Sequence, residues 1–258
     1  MKKPALFFLM LLSLLAVTSY SQKNDIKGVY KMIRQAHVEG DKDSLLKREQ
    51  IKFYTGKYML HASPKHNDSA GEFGIGKYIF DGNTLTEYVF YSSVAGDMKD
   101  TFELKITPSD KGFIQDIEFE LQTNRKFILT EVYERIGRPG KTPLDGVWQL
   151  ETAMIVGTDG DTSVDNRIQY KVFQNGYFAW VNAMPDAEEG TPATSFGYGT
   201  FTLSGKSLKE NNINSTYHNL LVGHDTNLTV DLLGNNRFRQ TINGENGEKY
   251  IEVYNKLE

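Results

Sequence analysis

Two stretches of the chain read almost alike at a separation close to half of its length, and this internal repeat limits the fold more than any other feature. Residues 74–85 read GIGKYIFDGNTL and residues 197–208 read GYGTFTLSGKSL. In both stretches a phenylalanine precedes Gly-x-Gly, an alternating aromatic segment follows, and a glycine turn leads to a leucine. Similar stretches at a fixed separation are typical of a duplicated structural unit. The sequence therefore predicts two copies of one module.

Other landmarks repeat in the same order and set the limits of the copies. Gly28-Val29-Tyr30 matches Gly146-Val147-Trp148, Phe53-x-x-Gly56 matches Phe173-x-x-Gly176, and Glu131-x-Tyr133-x-Arg135 matches Glu252-x-Tyr254-x-Lys256. We place the first copy at residues 25–136 and the second at residues 144–258. The connector, residues 137–143, holds two prolines and two glycines, a composition that excludes a helix.

Short alternating segments separated by turn residues fill each copy. Asn175-Gly176 lies between two apolar-rich runs, which is a strong hairpin signal because both residues tolerate positive φ. Asp81-Gly82 and Ser204-Gly205 mark equivalent turns in the two copies. Each copy thus contains about eight short strands joined mostly by hairpins. Since closure removes the exposed edges of such a meander, we predict an all-β protein of two tandem antiparallel up-and-down barrels.

The residues at the ends of the copies resemble those of the lipocalin-like, or calycin, group. The resemblance rests on Gly146-Val147-Trp148 in the first strand, on the meander, and on a basic residue in the last strand. The chain is similar to bacterial proteins with tandem lipocalin-like domains of no assigned activity. The resemblance implies that Lys256 packs over Trp148 and Arg135 over Tyr30, although the family pattern has tryptophan where the first copy has tyrosine. A cation over an aromatic face contributes about 0.5 to 2 kcal/mol, so we expect a structural plug at one end of each barrel.

The N-terminus has the pattern of a secretory signal peptide. Lys2 and Lys3 precede an apolar run from Ala5 to Val17, and small polar residues follow up to Ser21, which predicts a leader over residues 1–21. The run is shorter than the roughly 20 apolar residues that a spanning helix needs. The chain has no cysteine, which excludes a lipid anchor, disulfides and thiolate metal sites. We therefore expect a secreted or periplasmic protein that does not insert into the membrane after its leader is removed.

Polar candidates for a ligand site lie on the predicted last strand of each copy. Glu131 and Tyr133 point to one face in the first copy, as Glu252 and Tyr254 do in the second, because alternate residues share a face of a strand. Inside a barrel, these groups either bind a polar part of a ligand or, as is commoner, satisfy one another as part of the core. The sequence leaves both alternatives open.

Aromatic candidates lie one hairpin after the start of each copy. Phe178 and Trp180 share a strand face in the second copy, as Tyr58 and Leu60 do in the first. They line a ligand cavity or, more commonly, fill the interior of an eight-stranded barrel. The second copy has the larger aromatic side chains and the longer loop from Met184 to Thr194. We therefore expect the second copy to bind a ligand if only one copy does.

No catalytic, metal or cofactor motif is present. The acidic loop from Asp159 to Asp165 lacks the glycine and the glutamate that a calcium-binding EF-hand loop requires. No Gly-x-Ser-x-Gly segment occurs, and Glu131 and Glu252 fall in different barrels, too far apart for a glycosidase pair. The net charge is −4 without a basic cluster, and removing Lys2 and Lys3 makes it more negative, so nucleic acid is not an expected partner.

Two functions remain. The first is an exported, non-catalytic binding protein that holds a small apolar or amphipathic ligand in a barrel. The alternative is a structural or interaction module of the cell envelope with filled barrels, which binds a protein or glycan partner through its surface. A cavity inside a barrel favours the first function, whereas exposed aromatic residues outside a filled barrel favour the second.

Overall fold

A computed structural model describes most of the two predicted copies. The described residues are 25–39, 42–46, 48–64, 71–93, 100–120, 126–183, 194–244 and 246–258. The predicted leader, residues 1–21, and residues 184–193 of the long loop lie outside the described residues. Within the described ranges, no helix is long and apolar enough to cross a membrane.

Each copy consists almost entirely of antiparallel strands. The strands of the first copy are β1 (Gly28–Glu39), β2 (Lys42–Leu46), β3 (Ile51–Tyr54), β4 (Tyr58–Pro64), β5 (Gly71–Phe80), β6 (Thr84–Ser92), β7 (Asp100–Ser109), β8 (Gly112–Glu120) and β9 (Lys126–Ile136). The second copy contains β10 (Gly146–Val156), β11 (Thr162–Asp165), β12 (Ile168–Gln174), β13 (Tyr177–Ala183), β14 (Thr194–Ser204), β15 (Ser207–Ser215), α1 (His218–Leu221), β16 (Asp225–Leu232), β17 (Arg237–Asn243) and β18 (Lys249–Lys256).

Both sheets close into barrels with the same strand order. β1 pairs with β9 and β10 pairs with β18, which joins the first strand of each copy to its last. β2 and β3 both lie along the same side of β1, and β11 and β12 lie along β10 in the same way. Each pair therefore occupies one strand position, and each barrel has eight positions. The prediction of two tandem lipocalin-like barrels is confirmed.

The repeated Gly-x-Gly has a separate packing reason at each glycine. A Cβ atom on Gly76 would lie 2.2 Å from the carbonyl oxygen of Tyr88, and one on Gly199 would lie 1.9 Å from that of Asn211. The strand pairing shifts at these second glycines, because each faces a β-bulge whose extra residue lies on the partner strand, Phe90 on β6 and Ile213 on β15. We call Gly76 and Gly199 the bulge glycines. At the first glycines, a ring from the preceding strand occupies the space of a Cβ: His61 at Gly74 and Trp180 at Gly197. Any side chain at these positions would force the backbone or a packed ring to move.

The register of the two copies differs by one residue from the match made on sequence. Gly28 pairs with Tyr54, and Gly146 pairs with Phe173. Tyr54 is therefore the counterpart of Phe173, and the sequence match of Phe53 with Phe173 is wrong. A shift of one residue moves a strand side chain to the opposite face of the sheet. Phe53 accordingly packs outside the barrel and Phe173 inside.

A shared apolar layer joins the outer faces of the two barrels. It includes Val29, Ile51, Phe53, Leu60, Phe73, Ile75, Val147, Tyr170, Val172, Val181, Phe196 and Tyr198. The ring of Tyr170 lies 5.6 Å from that of Phe90, and Gln174 Nε2 donates a hydrogen bond of 3.0 Å to the carbonyl oxygen of Tyr54. Because apolar side chains of both copies are buried in one cluster, the barrels form a single packed unit.

Candidate functional site

One end of each barrel is closed by a cation over an aromatic ring. Lys256 Nζ lies 5.1 Å from the ring centre of Trp148, and Arg135 Cζ lies 5.1 Å from that of Tyr30. The aromatic side chains also bond to the chain before the first strand, since Trp148 Nε1 donates to the carbonyl oxygen of Leu144 at 2.6 Å. The plug residues drawn from the family resemblance therefore lie together, and the opposite end of each barrel is where access is expected.

A polar network occupies the middle of the first barrel. Glu131 accepts hydrogen bonds from Gln35 Nε2 at 2.7 Å, from Gln115 Nε2 at 2.8 Å and from the Tyr133 hydroxyl at 2.7 Å. Lys52 Nζ donates to Gln115 Oε1 at 2.8 Å and to Glu87 Oε1 at 3.2 Å. Burial and the adjacent Glu131 raise the pKa of Tyr133 well above its usual value, which keeps the phenol protonated as a donor. These polar groups satisfy one another, as groups in a barrel core must.

The second barrel has the same network at matching positions. Lys171 Nζ lies 2.6 Å from Glu210 Oε1 and donates to Gln240 Oε1 at 3.1 Å. The Tyr254 hydroxyl donates to Glu252 Oε2 at 2.6 Å, and Gln240 also donates to that carboxylate. Burial and Glu252 raise the pKa of Tyr254 as in the first barrel. A paired lysine and glutamate below a tyrosine-carboxylate pair is thus a property of the module.

Above this network, the second barrel contains a cavity of about 260 Å³. It lies at the end opposite Trp148, between the start of β12, the end of β13 and the start of β16. Its lining consists of Arg167, Gln169, Lys171, Trp180, Asn182, Glu210, Asn212, Tyr217, Leu221, Thr226, Leu228, Gln240, Ile242 and Glu252. The rings of Trp180 and Tyr217 are nearly parallel, with centres 6.2 Å apart.

The cavity lies where the second copy has a smaller side chain than the first. Thr226 pairs with Glu210 in the second barrel, and Phe102 pairs with Glu87 at the same place in the first. Phe102 packs against the first barrel's core cluster, whereas Thr226 lines the cavity. A threonine in place of a phenylalanine leaves room for a ligand ring.

A second difference leaves a buried polar atom without a partner. Asn212 lies opposite the bulge glycine Gly199, and Val89 lies opposite Gly76 in the first barrel. Asn212 is 3% exposed, and its Oδ1 atom accepts no hydrogen bond from the described residues. An unpaired amide oxygen costs about 1 to 3 kcal/mol relative to a paired one. Asn212 is therefore a group that a ligand can satisfy.

A third difference removes a hydrogen-bond donor from Glu210. In the first barrel the Tyr54 hydroxyl donates to Glu87 Oε1 at 2.6 Å. The equivalent of Tyr54 in the second barrel is Phe173, which has no hydroxyl. Burial raises the pKa of Glu210, although the Lys171 ammonium opposes the shift. The carboxyl at the cavity floor thus has one partner fewer than its counterpart.

In the second barrel, Arg167 donates to the buried glutamate of the last strand, as Gln35 does in the first. Gln35 pairs with Glu131 across the barrel seam, and Ala153 holds the same position opposite Glu252. The guanidinium of Arg167 donates to Glu252, to Asp165 and, at 2.9 Å, to Gln169 Oε1. Ala153 has no donor to give Glu252, and the charged Arg167 side chain at the cavity wall donates to it instead.

The predicted ligand residues separate into four locations. Trp180 and Glu252 line the cavity, while Phe178 and Tyr254 belong to the apolar cluster that includes Trp148. Glu131 and Tyr133 belong to the network of the first barrel. Tyr58, in contrast to the prediction, does not lie inside a barrel but packs against the apolar layer between the barrels. The counterpart of Phe178 in the first barrel is Met59 and not Tyr58.

Sequence reasoning missed most of the residues that form the cavity. Lys171, Glu210, Asn212 and Thr226 lie on three strands, β12, β15 and β16, and they form no local motif. A strand-by-strand comparison of the two copies is the signal that finds them. The clearest difference is the phenylalanine at position 102 of the first copy, where the second copy has Thr226.

The remaining candidate sites have simple structural roles. In the loop after β10, Asp159 Oδ1 accepts the amide of Asp161 at 3.1 Å, a local turn contact. Among the described residues, no group of three or more histidine, aspartate or glutamate side chains could hold a metal ion.

Comparisons with known proteins give no activity. No protein-family model matches the sequence, and no curated protein matches it. Similar solved structures include a lipocalin-like protein from Bacteroides uniformis, at 20% sequence identity and a TM-score of 0.32, covering 45% of this chain and 100% of that chain. A DUF3598-family protein of unknown function from Nostoc punctiforme matches at 11% identity and a TM-score of 0.28, covering 90% of this chain and 96% of its own.

Proposed function

We propose that the protein is an exported, non-catalytic binding protein whose second barrel holds one small amphipathic molecule, while its first barrel serves as a scaffold. The observation that carries the proposal is the cavity of about 260 Å³ above the Lys171–Glu210 pair. Small-molecule sites are typically concave, with apolar walls and a few placed polar groups. In the first barrel, Phe102 stands where Thr226 opens this space.

The lining supports an amphipathic ligand over a purely apolar one. Trp180, Leu228 and Ile242 form the apolar part, and buried amide and charged groups form the rest. An apolar ligand would cover polar atoms such as Asn212 Oδ1 without satisfying them, which costs free energy. A ligand with one apolar face and several polar groups matches both parts. The predicted leader supports delivery to the cell envelope.

Native mass spectrometry of the protein purified from the envelope of its own cells tests this function. The wild-type protein is expected to carry a bound small molecule that is lost on denaturation. Thr226→Phe copies the first barrel and fills the cavity, so it is expected to lose the extra mass. Thr226→Ser keeps the cavity open and is the matched control. A bound mass that survives in Thr226→Phe would place the ligand elsewhere and reject the proposal, as would a wild-type protein that carries none.

A further inference from the structure

The charges that line the cavity balance. Arg167 and Lys171 supply two positive charges, and Glu210 and Glu252 supply two negative ones. Each cation is already paired, Lys171 with Glu210 and Arg167 with Glu252 and Asp165. An anionic ligand would lie against the two glutamates, and a cationic ligand against the lysine and arginine. Because a charged ligand gains no unpaired partner and must lose its hydration, the cavity favours a neutral one.

At the cavity floor, one acceptor has no donor and another has one donor fewer than its counterpart in the first barrel. Asn212 Oδ1 has no partner among the described residues, and Glu210 lacks the hydroxyl that Tyr54 gives to Glu87 in the first barrel. Glu210 and Asn212 are alternate residues of β15 and both are buried, so both side chains point into the barrel. A ligand that places two adjacent O–H groups here would supply both missing hydrogen bonds.

Trp180 and Tyr217 give the cavity a flat apolar surface. Trp180 packs over Gly197, and its ring is inclined by only 22° to that of Tyr217. Aromatic faces bind the C–H face of a ring by dispersion and burial of apolar area. The volume of about 260 Å³ is just below the roughly 300 to 1,000 Å³ of sites for drug-sized molecules. The space therefore suits one compact ring more than a long acyl chain.

We infer that the ligand is a neutral ring compound with several hydroxyl groups, the chemistry of a monosaccharide, bound with its hydroxyls on Glu210 and Asn212 and its ring against Trp180. This inference rests on the proposed function, and it names the ligand class for that site. Gln169, Asn182 and Arg167 also line the cavity, and the remaining hydroxyl oxygens accept hydrogen bonds from their N–H groups.

Isothermal titration calorimetry of the full chain without its leader tests the ligand class. The probes are neutral hexoses and N-acetylhexosamines, with glucuronate, glucosamine and dodecanoate as anionic, cationic and apolar comparisons. We expect at least one neutral sugar to bind with a Kd of about 1 mM or lower, and the charged sugars to bind roughly tenfold more weakly.

Two variants that copy the first barrel test the position of the ligand. Asn212→Val removes an acceptor, and Phe173→Tyr gives Glu210 a competing donor, so each is expected to weaken sugar binding by roughly tenfold. Thr226→Phe is expected to abolish it. Each of Asn212→Val and Phe173→Tyr introduces the side chain that the first barrel has at the equivalent position. Circular dichroism checks that each variant is folded.

The possible failures separate the two proposals. Binding of dodecanoate or a charged sugar in place of neutral sugars, with loss in Thr226→Phe, overturns the sugar assignment and leaves the binding function standing. Sugar binding that Thr226→Phe and Asn212→Val do not change overturns the site. If no probe binds, the sugar assignment is rejected. Native mass spectrometry of the envelope-purified protein then tests the binding function on its own.

Discussion

Val89 and Asn212 occupy the same place in the two barrels, each directly opposite the bulge glycine of the preceding strand, Gly76 or Gly199. In the first barrel this place holds an apolar side chain in a closed core. In the second it holds an amide whose oxygen has no partner among the described residues. The duplication therefore kept the scaffold and changed the interior, and most of the changes that matter lie at one end of the second barrel.

Exchanging a single hydroxyl between the copies is expected to shift stability in opposite directions. Tyr54→Phe removes the 2.6 Å hydrogen bond to buried Glu87 and is expected to lower the free energy of unfolding by about 1 to 3 kcal/mol. Phe173→Tyr adds the equivalent donor to Glu210 and is expected to raise it by about 1 kcal/mol. Urea denaturation followed by circular dichroism measures both. A Phe173→Tyr variant that is no more stable than the wild type would contradict the claim that Glu210 lacks a donor.

The bulge glycines are expected to tolerate no side chain. Gly76→Ala or Gly199→Ala would place a Cβ atom within 2.2 Å of a backbone carbonyl oxygen, so we expect each to lower the free energy of unfolding by about 2 kcal/mol or more. Gly56→Ala is the control, since its Cβ atom would meet only the end of the Glu258 side chain. Thermal unfolding compares the three, and an alanine at Gly199 as harmless as one at Gly56 would contradict the bulge assignment.

His61 is expected to make stability depend on pH. Burial lowers the pKa of His61 from 6.5 to about 3, and Lys52 and Arg48 add repulsion, while Glu72 opposes the shift. The unfolded chain therefore takes up a proton below pH 6.5 while the folded chain does not, and this contribution to stability is lost as the pH falls from 6.5 towards 3.

Replacing the imidazole tests this contribution. Between pH 7 and pH 5 the wild-type protein is expected to lose up to about 2 kcal/mol more than His61→Gln, because each pH unit below 6.5 contributes at most 1.36 kcal/mol. Urea denaturation at the two pH values gives the difference. Parallel losses in the two proteins would mean that His61 is protonated in the folded state.

The sequence predicts the parts of this architecture that depend on local pattern. The duplication follows from two short stretches that match, and the meander and the hairpin at Asn175-Gly176 follow from residues close together in the chain. Asn175 and Gly176 have the positive φ values that the turn requires. The one-residue shift between Phe53 and Tyr54 does not follow, because both residues are aromatic and both are buried, one on each face of the sheet.

The cavity could not be predicted from either copy alone. It depends on Thr226, Asn212 and Lys171, which lie on three strands and meet only after the barrel closes. Phe178 and Trp180 were recognised by their size, but only Trp180 lines the cavity. The shared layer between the barrels also escaped prediction, since Tyr58 and Leu60 are as apolar as core residues and differ from them only in the face they occupy.

The indole N–H signals of the two tryptophans give the most direct test of the central claim, that the ligand occupies the second barrel at the end opposite its plug. Trp148 donates to the carbonyl oxygen of Leu144 in the buried plug, and Trp180 lines the cavity. The ¹⁵N-labelled protein is titrated with the small molecules released by denaturing envelope-purified protein. The account predicts that the Trp180 signal shifts while the Trp148 signal stays in place. A shift confined to Trp148, or no shift at either indole, would contradict it.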